Sequence, residues 1–330
     1  MWMWVVAAMA GPVSVRAALG GQLEPKGHGI LDAGVRGDAW SVQLLTDTLD
    51  ARAWHQGSRG KVEVGVRGAA FAAGLWISPW RDGAPDLTRA HRVAYAGPDL
   101  RTQVFLSHGW YGEAMGSVQR HVFTPMEPAT VEVADRSWLH GEGTVGGWFA
   151  DGERQLRLTG GVDRTWSADG DGLAPFAQLT ARWAPSLDHR VVAPRFDTTA
   201  RVADGAEAVV ATRVGGMTPY HVPLAGAAWA ELWVEDVLAA RGTLAVKVAD
   251  GEDRLVLHGA LDAVAWTGTG DPLAATEDGV GIGLEAGMRW TRGPVFADVR
   301  GGYASGLPRQ AGVWPVPVYF LVGVEGASTR

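Results

Sequence analysis

The sequence of 330 residues contains no cysteine. This absence excludes disulfides, thiolate nucleophiles and zinc sites with Cys ligands, although it does not by itself set the compartment. No stretch of about 18 apolar residues occurs after the N-terminus, so we expect no transmembrane helix. The nine histidines show no close pair at metal-ligand spacing, and the Gly-x-Ser-x-Gly elbow of serine hydrolases is also missing. We therefore expect neither an enzyme nor a bound cofactor or metal.

The chain also lacks an excess of positive charge, since its formal net charge is −7. Nucleic acid is not an expected partner, because its recognition needs a basic footprint. Phe (8) and Tyr (5) are few, whereas Trp (16) and Gly (46) are many. Glycine is a poor helix former, and Trp favours interfaces that are apolar on one side and wet on the other. This composition favours a β-sheet protein at such an interface.

The clearest pattern of the chain lies between Gly279 and Tyr303. Successive side chains of a strand point to opposite faces, so every second residue belongs to one row. From residue 280 to 290 one row is apolar and the other is small or charged: Val280, Ile282, Leu284, Ala286, Met288 and Trp290 against Gly281, Gly283, Glu285, Gly287 and Arg289. A break at residues 291–294 precedes a second alternating segment. The pattern predicts a hairpin with one apolar and one polar face, as in a transmembrane β-barrel.

Similar segments recur from residue 30 onward, separated by short Asp-Gly turns and by longer loops with Pro and Gly. Several run about nine to thirteen residues, which suffices to cross a bilayer at a tilt and exceeds the usual soluble strand. We count about 14–16 strand-like segments, as expected for an even-numbered barrel. The predicted fold class is all-β, an antiparallel transmembrane β-barrel of about 14–16 strands in one domain over residues 30–330.

Three places along the chain carry more detailed predictions. The segment from Ala39 to Trp54 changes phase, which indicates either a bulge or two strands run together. Gly97-Pro98-Asp99 predicts a turn between two strands, and Ser167 to Leu173 predicts a polar loop.

The N-terminus has the pattern of a targeting segment. An apolar run from Trp2 to Ala10 precedes Val15-x-Ala17, which satisfies the small-residue preference before a signal-peptidase cut. We predict a signal peptide over residues 1–17 and a lead-in segment over 18–29, with the outer membrane as the location. No Lys or Arg precedes the apolar run, and a buried N-terminal strand or helix is the alternative.

Nine charged residues lie deep within the predicted strands and opposite apolar rows. We predict that they line the barrel lumen: Lys61, Glu63, Arg67, Arg157, Asp163, Glu285, Arg289, Asp298 and Arg300. Such residues would either border a water-filled pore and bias ion passage or pair with one another and fill the interior. A loop that folds inward, such as Gly215 to Gly226, would block the lumen.

The last third of the chain resembles the barrel part of the bacterial surface-antigen family, which includes outer-membrane assembly factors and two-partner secretion transporters. The resemblance rests on Arg213 to Tyr220, on Trp229 to Gly251, and on the hairpin from Gly279 together with the final segment from Pro317. It implies an outer-membrane barrel with a loop that folds inward. The Arg-Gly-Tyr tip of that loop has no match here, and the nearest stretch is Pro223-Leu224-Ala225-Gly226.

These observations predict a β-barrel in the outer membrane of a Gram-negative envelope. It would be either a porin-like channel or a membrane-embedded scaffold. It would pass small solutes or assist the assembly of other envelope components, and its expected partners are membrane lipid with such solutes or envelope proteins. The alternative is a secreted soluble β-rich carbohydrate-binding protein, a propeller or lectin-like fold whose Trp side chains stack on sugars.

Overall fold

A computed structural model describes residues 13–22, 28–46, 48–69, 75–77, 80–81, 84–149, 152–188, 190–207, 210–215, 222–225, 227, 231–271, 273, 276–307 and 317–328. Sixteen antiparallel strands form its wall, each paired with its neighbours in chain order. The last strand pairs with the first, from Val13 opposite Ser328 to Gln22 opposite Tyr319. The wall is therefore a closed barrel, and the predicted fold class is confirmed.

The wall strands are β1 (Val13–Gln22), β2 (His28–Arg36), β3 (Trp40–Leu45), β4 (Thr48–Gly57), β5 (Gly60–Ala69), β6 (His91–Phe105), β7 (Trp110–Pro125), β8 (Arg136–Phe149), β9 (Arg154–Ser167), β10 (Gly170–Trp183), β11 (Val192–Ala203), β12 (Leu232–Ala249), β13 (Asp253–Gly268), β14 (Gly279–Arg292), β15 (Val295–Ser305) and β16 (Val318–Ser328). Short strands at Leu75–Ile77 and Thr212–Val214 extend the wall at β6 and β12. Trp80–Arg81 pairs with Ala84–Pro85. The described residues form two 3-10 turns, Leu87–Arg89 and Ser107–Gly109. Among the described residues, none of the helical segments is long and apolar enough to cross a membrane.

The alternation of the sequence sets the two faces of the wall. In β14, Val280, Ile282 and Leu284 are more than half exposed on the outer face, whereas Gly283 and Glu285 are buried inside. Exposed apolar side chains surround the barrel in the same way, including Leu19, Val64, Val104, Leu158, Leu238, Leu261 and Val322. Soluble proteins rarely expose a continuous apolar surface of this kind. The prediction of a soluble propeller or lectin-like fold is therefore wrong.

The two ends of the barrel differ in their connections. At the short-turn end, strands are joined by residues 37–39, 58–59, 106–109, 150–153, 184–191, 250–252 and 293–294. At the long-loop end, the connections include residues 70–90, 126–135, 204–231, 269–278 and 306–317. Outer-membrane barrels show this asymmetry, with short periplasmic turns and longer extracellular loops.

The N-terminal prediction differs from the structure. β1 covers Val13–Gln22 and β2 begins at His28, so the wall starts within the predicted signal peptide and lead-in segment. The inner row of β1 contains small residues such as Ala18 and Gly20, which hide its alternation in the sequence. Residues 1–12 of the predicted signal peptide lie outside the described residues. Cleavage before Ala18 would fall within β1, and it stays a prediction.

The three detailed strand predictions have different outcomes. The phase change between Ala39 and Trp54 separates two strands, β3 and β4. The turn predicted at Gly97-Pro98-Asp99 is wrong, because β6 continues through it and all three residues pair with β5. The loop predicted from Ser167 to Leu173 is also wrong beyond residue 169, since β10 begins at Gly170. In both cases residues that favour turns, namely Gly with Pro or Asp, lie inside long strands. Pairing with the neighbouring strands keeps them extended despite this preference.

Candidate functional site: the barrel interior

Burial of the inner wall increases from one end of the barrel to the other. On β9, Gln155 and Arg157 are partly exposed near the short-turn end, whereas Asp163 and Thr165 are buried towards the long loops. The inner row of β14 repeats this gradient, from a partly exposed Arg289 to buried glycines at positions 283 and 281. The interior is therefore filled at the long-loop end. At the short-turn end it forms a water-accessible space, which we call the vestibule.

The connection between β11 and β12 helps to fill the long-loop end, and we call its described residues, 204–207, 210–215, 222–225, 227 and 231, the plug segment. Leu224 and Ala227 are fully buried, and Ala225 is almost so. Leu224 belongs to an apolar core formed with the loop-side ends of β12, β13 and β15: Val214, Ala227, Leu232, Val234, Val237, Ala239, Val264, Trp266, Ala304 and Leu307. The described part of the loop predicted to fold inward does so, with Leu224-Ala225 as its tip, and residues 216–221 and 226 of that prediction lie outside the described residues.

Two polar contacts and one glycine of the wall fix this tip. The Ala225 backbone N–H donates to Oδ2 of Asp262 at 2.8 Å, and the Tyr319 hydroxyl donates to the Ala227 carbonyl. Gly283, directly opposite Asp262 in the β13–β14 register, leaves room for the plug backbone. A Cβ at Gly283 would lie 2.6 Å from the Ala225 carbonyl oxygen. Glycine within a strand often marks such a close backbone approach.

A second cluster attaches the plug segment on the side of β6–β8. Ala211 packs with Val93, Phe123, Trp233 and Leu273 in a separate apolar core. Glu207 of the plug segment pairs with Arg136 at 2.5 Å and accepts a hydrogen bond from the Thr165 hydroxyl at 2.7 Å.

Arg213 lies in the part of the plug segment that pairs with the start of β12. Its guanidinium carbon is 3.5 Å from the centre of the Trp233 ring, a cation–π contact. Burial lowers the pKa of Arg213 to about 9, and the nearby Asp271 carboxylate opposes this shift. The plug is thus held by apolar contacts, cation–π contacts and ion pairs together.

The nine charged residues predicted to line the lumen all lie on the inner row of the wall, but they do not form a single group. Lys61, Glu63 and Arg67 belong to one network on β4–β6. Its centre is Arg52, which pairs with Glu63 at 2.7 Å and with Asp50 at 2.6 Å. Lys61 pairs with Glu63 at 2.5 Å and Arg67 with Asp50 at 2.9 Å.

Glu285, Asp298 and Arg300 form a second network, on β12–β15. Arg300 pairs with Asp298 at 2.8 Å and with Glu285 at 3.5 Å. Arg241 joins Glu285 (2.9 Å) to the Asp262 carboxylate (3.0 Å) that holds the plug tip. The plug contact is thus part of a chain of charges across four strands.

The remaining three predicted residues have separate partners. Asp163 accepts from Nδ1 of His140 at 2.7 Å and from the Trp138 indole at 2.9 Å. Arg157 lies 3.5 Å from Glu113, and Arg289 lies 3.9 Å from Glu325. Every one of the nine has an oppositely charged or hydrogen-bonding partner, and their role in lining a solute path stays a prediction.

Sequence reasoning missed the central residues of these networks, namely Arg52, Asp262 and Arg241. Arg52 lies in the segment whose phase changes, so its row could not be assigned. Arg241 and Asp262 stand directly opposite each other in neighbouring strands, and Asp262 stands opposite Gly283. The inner row of glycines in β14 was the visible signal that another chain segment approaches there. Within the described part of the chain, no group of three or more His, Asp or Glu could hold a metal ion.

Comparison with known proteins shows similarity in structure alone. No protein-family model matches the chain, and no curated protein matches it. CdiB from Escherichia coli superposes with a TM-score of 0.66 and 13% identity, over 96% of this chain and 63% of that one. CdiB from Acinetobacter baumannii gives 0.62 and 11% identity, over 96% of this chain and 60% of that one. BamA from Haemophilus ducreyi lacking POTRA domains 1-3 superposes with a TM-score of 0.62 and 10% identity, over 95% of this chain and 70% of that one.

The chain thus spans between 60% and 70% of the length of these three structures. The similarity confirms the predicted resemblance to surface-antigen barrels at the level of the fold. It covers nearly the whole chain, whereas the sequence showed it in the last third. The chain therefore has an outer-membrane-type barrel.

The prediction that the chain is not an enzyme is wrong, because enzymatic function is not excluded. Structures that match the barrel include LpxR from Salmonella typhimurium, an outer-membrane barrel enzyme that deacylates lipid A. This match has 8% identity and a TM-score of 0.32 over 69% of the chain, and it assigns no activity here.

Proposed function

We propose that the chain is an outer-membrane pore for small polar solutes, closed at rest by the plug segment at its long-loop end. The observation that carries the proposal is the gradient of the inner wall, from partly exposed charged residues at the short-turn end to a buried apolar seal at the other. A barrel serving only as a membrane scaffold needs no charged vestibule. Export across the inner membrane by a cleaved signal, and contact of the apolar outer face with membrane lipid, belong to the same proposal.

The contacts of the plug tip are compatible with opening. The segment also pairs with β12 through Thr212–Val214. Its tip lies beyond this pairing, so the tip can move while the wall strands stay paired. Two hydrogen bonds fix the tip to β13 and β16. Each such bond contributes about 0.5–3 kcal/mol net, with the larger values for charged acceptors. The apolar core around Leu224 adds the remaining resistance.

Single-channel recording in planar bilayers tests the proposal. The wild-type protein is expected to open rarely, and Gly283→Val is expected to open often, because its side chain occupies the position of the Ala225 backbone. Gly242→Val is the matched control, since a Cβ at Gly242 meets nothing within 4 Å. Silence of both wild type and Gly283→Val, in protein whose folding is verified by its gel mobility before boiling, contradicts the pore and leaves the scaffold.

A further inference from the structure

The ion pairs of the inner wall are asymmetric in their contact with water. Arg157 and Arg101 share Glu113, and their side chains are 36% and 37% exposed while that of Glu113 is 9% exposed. Arg182 and Arg195 share Asp197 and are 48% and 46% exposed, against 26% for the carboxylate. Water in the vestibule therefore meets guanidinium groups, and the carboxylates lie behind them.

The sharing of carboxylates leaves an excess of positive charge on this side. Four arginines on β6 and β9–β11 face three carboxylates: Glu113 and Asp197, which each contact two arginines, and Glu142 of β8, which lies close enough to Arg101 and Arg157 to interact with their charge. Arginine stays protonated at every physiological pH, so this excess is permanent. The chain as a whole is acidic, with a formal net charge of −7. The cationic surface is thus a property of the vestibule and not of the overall composition.

The opposite side of the vestibule differs. Arg16 and Arg289 both approach Glu325, whose side chain is 56% exposed and more exposed than either arginine. Arg16 also pairs with the buried Asp32 at 2.7 Å. The charges of this cluster balance, so the excess positive charge is confined to the β6–β11 side.

We propose that the vestibule attracts anions, and that the solutes admitted by the pore carry negative charge such as a carboxylate or phosphate group. Rings and clusters of Arg or Lys provide this preference in anion-conducting pores, and a charged cleft with low-dielectric walls raises the local concentration of ions of opposite sign. The identity of the solute rests on the proposed pore function, whereas the potential of the vestibule is a property of the closed protein.

Thiol reagents of opposite charge measure this potential without any conductance. Gln155 stands opposite Arg182 in the β9–β10 register, and a Gln155→Cys variant carries one thiol because the chain has no cysteine. The rate of thiol modification is measured with two methanethiosulfonate reagents, one with a negatively charged sulfonate group and one with a positively charged trimethylammonium group. Ser107→Cys, in the exposed turn between β6 and β7, corrects for the intrinsic rates, because no Asp, Glu, Lys or Arg lies within two residues of it in the sequence.

The ratio of the anionic to the cationic rate is expected to be roughly tenfold higher at Gln155→Cys than at Ser107→Cys. Adding Arg182→Gln and Arg195→Gln should remove most of this preference. Arg120→Gln with Arg164→Gln, two arginines on outward-facing positions, should leave it unchanged. An equal ratio at both sites, or a preference for the cationic reagent, overturns the inference. Since the assay uses closed protein in detergent, its result is independent of the bilayer recording that tests the pore.

Discussion

At Gly283 the plug segment meets the wall. A Cβ at this residue would lie 2.6 Å from the Ala225 carbonyl oxygen and 2.8 Å from the Ala225 nitrogen. Both neighbours are backbone atoms, so the strain cannot be relieved by rotating a side chain. Gly283→Val should therefore displace the plug tip and break the hydrogen bond from Ala225 to Asp262.

The size of the effect follows from that bond. A hydrogen bond to a charged acceptor contributes about 1.5–3 kcal/mol, and each 1.4 kcal/mol changes an equilibrium tenfold. The fraction of molecules with an open plug should rise roughly tenfold to hundredfold. The loss of apolar contacts around Leu224 acts in the same direction.

A buried reporter thiol measures the opening. Leu224 is fully buried, so Leu224→Cys reacts with a water-soluble maleimide only when the plug tip leaves the wall. The reaction rate of Leu224→Cys is compared in the Gly283→Val and Gly242→Val backgrounds, so that the loss of the leucine side chain cancels. Equal rates in these two backgrounds would refute the proposed contact between plug and wall.

Three further predictions concern the plug and the wall. Tyr319→Phe removes the hydroxyl that donates to the Ala227 carbonyl. Since such a bond contributes about 1 kcal/mol, the loss should speed maleimide modification of Leu224→Cys roughly fivefold. An unchanged rate would show that this bond does not hold the plug. Leu284→Lys places a charge on the lipid face near the middle of β14, and should lower the free energy of unfolding by about 2–4 kcal/mol in lipid vesicles. Thr243→Lys on the inner row of β12 is its control, and equal losses would contradict the assignment of faces. Unboiled wild-type protein should migrate differently from boiled protein on a denaturing gel, and identical mobility would argue against a closed barrel.

The sequence predicts the wall well where the two rows differ strongly. In β14 and β15 the apolar row is long and unbroken, and the structure places it on the outer face. The prediction fails where the inner row is made of small residues, as in β1, because alternation between alanine, glycine and valine is weak. It also fails at Pro98, where pairing with β5 and β7 keeps the chain extended despite a turn-forming sequence.

The interior is less predictable because its contacts join distant parts of the chain. The resemblance to surface-antigen barrels implies the inward course of the plug segment. Its anchor on Asp262 depends on a residue 37 positions away. The charged networks depend on strand register, which brings Arg241, Asp262 and Gly283 into one line across β12–β14. Local alternation assigns each residue to the inner or the outer face of the wall. It does not determine which residues of the neighbouring strands lie beside it.

The central claim is that the interior is open to water at the short-turn end and sealed at the long-loop end. Two single-cysteine variants on the inner row of β9 test it most directly. Gln155 is partly exposed in the vestibule, and Thr165 is buried beside Glu207 of the plug segment. In detergent-solubilised protein with an otherwise wild-type sequence, Gln155→Cys should react rapidly with a water-soluble maleimide and Thr165→Cys slowly. Equal rates, or faster reaction at Thr165→Cys, would contradict a barrel sealed by its plug segment.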